Sequence, residues 1–232
     1  MKKLLTVSIR RHTNKDKVGN ATKYGLKKAR ELGKSIPKGQ VLKGYSSSVE
    51  RCIDTLTNLE KGFKINGKSA IGKQPVRASL REENVFRDVN KVRELFAQMG
   101  GDERKFMKLW YEGKIPKEYM VTPPELADII VKDRFAYILR FIDLKSKNKI
   151  GKLDNLPQLH IENITHDLRV GALFERLTGK NLQVYSKQLI IKPRESIDFD
   201  IYMQKNKKLK IILNFRNNKF DVTNKINEIL SS

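Results

Sequence analysis

At 232 residues, 39% hydrophobic and 32% charged, the chain can fill one core beneath a heavily charged surface. No apolar run approaches a membrane span, so a soluble protein with no membrane partner is expected; the single cysteine, Cys52, excludes an internal disulfide and suits a reducing, cytoplasmic location. The 48 Lys and Arg against 26 Asp and Glu leave a net charge of +22, which either attracts polyanions such as nucleic acid and phosphorylated small molecules or reflects a general Lys- and Asn-rich composition.

Residues 4–9, LLTVSI, form a short apolar run that stops at Arg10-Arg11-His12 and predict a buried first strand. The basic start is followed at once by charge, so no signal peptide is expected. Residues 13–20 read as a polar loop. Tyr24, Leu26, Ala29 and Leu32 have helical spacing over residues 22–34, with Gly33 and Pro37 as stop signals. Residues 41–45 are a second strand running into Ser46-Ser47-Ser48. The next helix carries Val49, Cys52, Ile53, Leu56 and Leu59 on one face and is expected to end at Gly62. Residues 75–80 predict a third strand, ending at Arg81-Glu82-Glu83.

From residue 84 to about 148 the pattern changes. Three helical stretches, 91–98, 103–110 and 125–144, are separated by Gly and Pro with no strand between them, which predicts a helical insertion. Phe106, Trp110 and Tyr111 are read as its own small core. Residues 145–153 are a basic connector. Residues 159–165, LHIENIT, alternate as a fourth strand that reaches His166, and residues 168–178 are a helix stopped by Gly179. Two strands, 196–203 and 209–215, form a hairpin across a Lys-rich turn, and 222–230 is a closing helix.

Strands alternating with helices predict one domain, residues 1–232, of α/β class: a three-layer α/β/α sandwich with a mostly parallel sheet, an antiparallel edge and a helical lid over about 84–148. The strand ends bearing Arg11-His12, Ser47 and His166 then lie on one side, where ligands of open α/β sheets bind. The chain has three histidines, His12, His160 and His166, and two of them fall at such ends. His160, inside a strand, reads as structural. Cys52 reads as a packed helix residue, and Ser47 either caps a helix or contacts the site. Arg10 is either a phosphate contact or a surface cation.

Arg11-His12-Thr13 resembles the Arg-His-Gly signature of the histidine phosphatase superfamily, which includes phosphoglycerate mutases and acid phosphatases. Ala21-Thr22-x-x-Gly25-x-x-x-Ala29-x-x-Leu32-Gly33 is similar to its first-helix pattern. The segment from Tyr45 through Ser47 and Arg51 to Thr55 resembles its Ser-x-x-x-Arg-x-x-x-Thr segment. Leu80-Arg81-Glu82 resembles its Leu-x-Glu, and Thr165-His166-Asp167 its second-histidine motif. The matches run in order from residue 4 to about 180.

The resemblance implies a phosphomonoester hydrolase in which His12 attacks phosphorus and forms a phosphohistidine, with no metal and no cofactor. Arg11, Arg51 and His166 would bind phosphate, because charge spread over three oxygens needs several fixed cations and donors. Glu82 corresponds to the general acid of the mutase branch, and Asp167 to that of the acid-phosphatase branch. Thr13 replaces the motif glycine; its hydroxyl either donates to phosphate or its branched side chain weakens the site. The implied substrate is small, phosphorylated and multiply charged. The alternatives are a mutase-like phosphotransferase and an inactive relative that binds polyanions or nucleic acid.

Overall fold

The first strand, β1 (Lys2–Arg11), is paired along both edges, and residues 5–10 are buried on both of its faces. Leu5, Val7 and Ile9 enter the main apolar core. Thr6, Ser8 and Arg10 face the other way and need polar partners. Thr6 donates to Asp200 (3.0 Å), Ser8 meets the His160 ring (3.2 Å), and the Arg10 Nε donates to Glu162 (2.5 Å). Arg10 is therefore neither a surface cation nor a phosphate contact; it is a buried partner for a fully buried carboxylate. Burial pushes the Glu162 carboxyl up, but Arg10 and His160 together outweigh this and hold it below the usual range. The pair's contribution is present above the ordinary glutamate range and lost as pH falls through the lower folded value. Arg10→Met should lower unfolding free energy in urea by about 3 kcal/mol, because Glu162 keeps its burial and loses its cation.

The computed structural model describes residues 1–65, 76–147, 159–182, 191–206 and 208–232. Helix α1 (Lys23–Ser35) starts where the Thr22 hydroxyl accepts the Gly25 N–H (3.1 Å). Strand β2 (Val41–Ser46) follows, then α2 (Glu50–Ile65). Gly33 and Gly62 do not stop these helices. A Cβ on Gly33 would lie 1.9 Å from the Leu59 carbonyl oxygen, and one on Gly62 1.9 Å from that of Arg30. The two glycines let α1 and α2 cross backbone to backbone, which no side chain would permit.

The strand expected at 75–80 is not formed where the chain is described. Val76 makes one parallel bridge to Ser46, then Ala78–Leu80 and Glu82–Val85 turn as short 3-10 helices. Pro75 lies outside the described residues. The insertion holds α3 (Val89–Gln98), α4 (Glu103–Tyr111) and α5 (Pro123–Ser146), the first two capped by the side chains of Asp88 and Asp102. Phe106 and Trp110 are not a separate core: both join the main cluster, and the Trp110 indole donates to the Val121 carbonyl (2.8 Å). Strand β3 (Leu159–Thr165) then leads into α6 (Asp167–Thr178), which Gly179 ends in the left-handed region at φ 66°.

Strands β4 (Ser196–Met203), β5 (Leu209–Phe215) and β6 (Asn218–Asp221) precede the last helix, α7 (Thr223–Ser231). The six strands run in the order β2-β3-β1-β4-β5-β6. The β2-β3-β1 half is parallel and the rest antiparallel. The class is the expected α/β sandwich, with β6 a further antiparallel strand that its short polar sequence did not announce. Apolar clusters lie on both faces: α1 and α2 cover Leu42 and Ile164, and α5 and α6 pack over Val7, Ile161 and Phe199. Among the described residues no helix is long and apolar enough to cross a membrane.

Candidate active site

The three parallel strands end level with one another. Arg11 pairs with Thr165 and Ser46 with Ile164, and the next amides continue the register: His12 N–H donates to Thr165 O (2.9 Å) and Ser47 N–H to Ile164 O (3.0 Å). His12, Ser47 and His166 therefore leave the sheet at one point. Arg51 reaches it from the first turn of α2. The structure thus gathers residues from four parts of the chain.

His12 is 3% exposed and its ring is held at both nitrogens. Nδ1 lies 2.7 Å from the Thr13 carbonyl oxygen, and Nε2 accepts from Arg51 Nε at 3.0 Å. A carbonyl accepts only, and an arginine donates only, so the proton belongs on Nδ1 and the lone pair on Nε2. Arg51 Nη2 also lies 3.4 Å from His166 Nδ1, and the two imidazoles meet edge to face with centroids 5.3 Å apart. The far side of His166 touches the Ser47 hydroxyl (3.3 Å) and the Cys52 thiol (3.7 Å). Ser47 contacts the site, and its Oγ also faces the Val49 N–H at 3.4 Å.

Burial first, and then the nearby Arg51, Arg11 and Lys15, lower the His12 pKa to about 4, against a raising effect of the Thr13 carbonyl. Burial, then His12, Arg51, Arg169 and Arg11, lower that of His166 to about 2. Both rings are neutral near pH 7, and His12 presents an unprotonated nitrogen beside a guanidinium.

Arg11 donates to the Ile191 carbonyl and lies 3.5 Å from the Asp167 carboxylate. Asp167 opens α6, and its other oxygen accepts the Leu168 N–H (3.1 Å). Glu82 lies in the 3-10 turn that starts at its own position; its side chain lies outside the described residues. Arg169, wholly buried, ties that region to α6 by donating to the carbonyls of Ser79 (2.8 Å) and Arg81.

Thr13 is wholly buried, and its hydroxyl has no hydrogen-bond partner among the described residues. It packs on α1, where a Cβ on Gly25 would come within 2.3 Å of its Oγ1. Its amide donates to the Thr55 hydroxyl (3.1 Å), which in turn donates to the Arg51 carbonyl (2.6 Å). Thr55 thus couples the loop after His12 to the turn that carries Arg51.

One contributor carries no signal in the sequence. Arg194, at φ 67°, directs its N–H at the carbonyls of Arg11 and His12, 3.2 Å from each. The Arg194 carbonyl accepts from Arg10 (2.7 Å), and its guanidinium donates to Asn14 (3.0 Å). Nothing local marks it, because the partners lie about 180 residues away and an arginine is not the residue expected at positive φ. Among the described residues no group of three or more His, Cys, Asp and Glu side chains is gathered to hold a metal ion.

No family model matches the chain, and no curated protein does. Solved structures do. A mycobacterial protein described as hydrolase 1 is 16% identical, with a TM-score of 0.58 over 93% of this chain and 100% of that one. Mycobacterial glucosyl-3-phosphoglycerate phosphatase in complex with inorganic phosphate is 15% identical, with a TM-score of 0.58 over 92% of this chain and 97% of that one. YhfR of Bacillus stearothermophilus is 12% identical, with a TM-score of 0.52 over 92% and 97%. The chain has the histidine phosphatase fold.

Proposed function

We propose that the protein is a phosphomonoester hydrolase that works through a phosphohistidine at His12. The observation that carries this reading is the ring's orientation: Nδ1–H points to the Thr13 carbonyl, and the Nε2 lone pair lies in a site lined by Arg51 and His166. In the proposed first step Arg51 turns its Nε–H from Nε2 to the phosphoryl oxygens, and the freed Nε2 lone pair attacks phosphorus while the bond to the leaving oxygen breaks. Arg11, Arg51 and His166 bind the phosphoryl oxygens, and a carboxylic acid protonates the leaving oxygen. Water, giving a proton back to that carboxylate, then adds to phosphorus as the P–N bond breaks, which releases phosphate and restores neutral His12 and the acid.

We assign the acid role to Glu82. Asp167 remains the rival: one oxygen accepts the Leu168 N–H, while the other lies 3.5 Å from Arg11 and is buried with no hydrogen-bond partner among the described residues. We assign no phosphate contact to Thr13, whose hydroxyl is packed against Gly25; its part is to hold the carbonyl that fixes the His12 tautomer. The route uses no metal or cofactor, and the substrate is a small phosphorylated molecule. Support for a phosphatase comes from the fold shared with the glucosyl-3-phosphoglycerate phosphatase.

The test is turnover of p-nitrophenyl phosphate by the wild-type protein. Its pH profile carries a second expected result. A free histidine loses its nucleophilic nitrogen below about pH 6.5, whereas His12 keeps it until about pH 4. After correction for the ionisation of the substrate, kcat/KM should stay level through pH 6.5 and fall only near pH 4. An acid limb at the ordinary histidine value would contradict the assignment.

A further inference from the structure

Beside the site, three cations converge on one aromatic ring. The guanidinium carbon of Arg134, on α5, lies 4.3 Å from the centroid of Tyr45; that of Arg77 lies 5.0 Å away, and the Lys43 ammonium 5.7 Å. Arg134 is 2% exposed. Its Nη1 makes one long ion-paired hydrogen bond to Asp133 Oδ2 (3.5 Å), an oxygen that also accepts the Ser79 hydroxyl. The Nε atoms of Arg134 and Arg77 are both buried and have no hydrogen-bond partner among the described residues. Burial, the largest cause, and the neighbouring Arg77 work against the Arg134 charge, and Asp133 and Tyr45 offset them only in part.

Buried guanidiniums are normally paired, because an uncompensated buried charge is strongly unfavourable. Stacking on Tyr45 supplies part of the compensation. It does not satisfy the two Nε–H donors, and it leaves like charges around one ring. An anion with several acceptor oxygens would do both. The cluster lies at the strand end that also carries Ser47. Tyr45 precedes by two residues the Ser47 that touches His166, about 7 Å along an extended strand, and the Arg77 N–H donates to the Ser46 carbonyl (3.0 Å). Arg77 is only partly buried, so the cluster opens to solvent on that side.

We propose that Arg77 and Arg134, gathered with Lys43 around Tyr45, form a second anion subsite, which receives a phosphate or carboxylate elsewhere on the substrate whose scissile phosphate lies at His12. This rests on the hydrolase reading above and narrows its substrate class to molecules with two separated anionic groups.

The experiment compares kcat/KM for alkyl monophosphates with that for the matching α,ω-alkanediol bisphosphates over increasing chain length. The wild type should prefer the bisphosphate by about tenfold or more at one span, the value of one charge-assisted contact. R77M and R134M should each bring that ratio close to one. Arg77 is partly exposed, so its variant decides the matter even if R134M fails to fold. A wild-type ratio near one at every span, or a preference that survives in R77M, overturns the subsite and leaves the hydrolase reading standing.

If the wild type turns over none of these compounds, the hydrolase reading has failed. The subsite is then read by calorimetric titration of the same bisphosphates: affinity about tenfold weaker in R77M supports it, and equal affinity overturns it. Sulfate that raises the wild-type Tm but not that of R77M, with no dependence on chain length in the bisphosphate series, assigns the cluster to a free anion and overturns its link to the substrate.

Discussion

Replacing His12 by alanine should lower kcat/KM for p-nitrophenyl phosphate by about four orders of magnitude or more, the usual consequence of removing a covalent nucleophile. The geometry leaves no evident substitute. His166, the nearest imidazole, meets His12 edge to face at 5.3 Å, and its ring nitrogens face Arg51 on one side and Ser47 and Cys52 on the other. Brief incubation with radiolabelled substrate and an alkaline quench should trap label on the wild-type protein and none on His12→Ala. The His12 ring is buried but bonded mainly through its nitrogens, so circular dichroism should show the variant folded. Equal turnover by the two proteins would sink the catalytic assignment.

Arg51→Ala should be the next most damaging change, at about a thousandfold loss in kcat/KM, because one guanidinium serves both histidines and the developing phosphoryl charge. Its Nε is 3.0 Å from His12 and its Nη2 3.4 Å from His166. The substitution carries a signature that simple misfolding would not produce. Arg51 is one of the charges that hold the His12 pKa down, although burial is the larger cause. Removing it should move the acid limb of kcat/KM up from about pH 4 toward the ordinary histidine value. Arg51→Lys restores the charge but not the planar fork, so it should keep the limb low while recovering only part of the rate. A rate loss with no movement of the limb would separate Arg51 from the ionisation of His12.

How far the site could be read from the sequence depends on how local each signal is. Arg11 and His12 stand at the end of a strand whose apolar run is plain in the sequence, and the Ser47–Arg51–Thr55 spacing places these residues around a helix start. Thr13 was harder. Set beside the expected glycine, its branched side chain reads as a threat to the site. The structure shows the space it occupies, made by Gly25 twelve residues later on α1. Arg10 was ambiguous for a similar reason, since its partner Glu162 belongs to a strand about 150 residues away. Gly33 and Gly62 read as stop signals because glycine often ends helices; their use as a crossing point exists only once α1 and α2 meet.

The sequence alone determined the alternation of strands and helices, the helical insertion and the order of the charged motifs. Each is set by a period of two or 3.6 residues, or by a turn residue acting on its immediate neighbours. The tertiary structure alone decided which charges are paired. The same arginine side chain is a partner for a buried carboxylate at Arg10, a bridge between two imidazoles at Arg51, and a stacked, under-bonded cation at Arg134. The physical reason is that the energy of a buried charge depends on what lies within a few ångströms of it, and those neighbours come from distant parts of the chain.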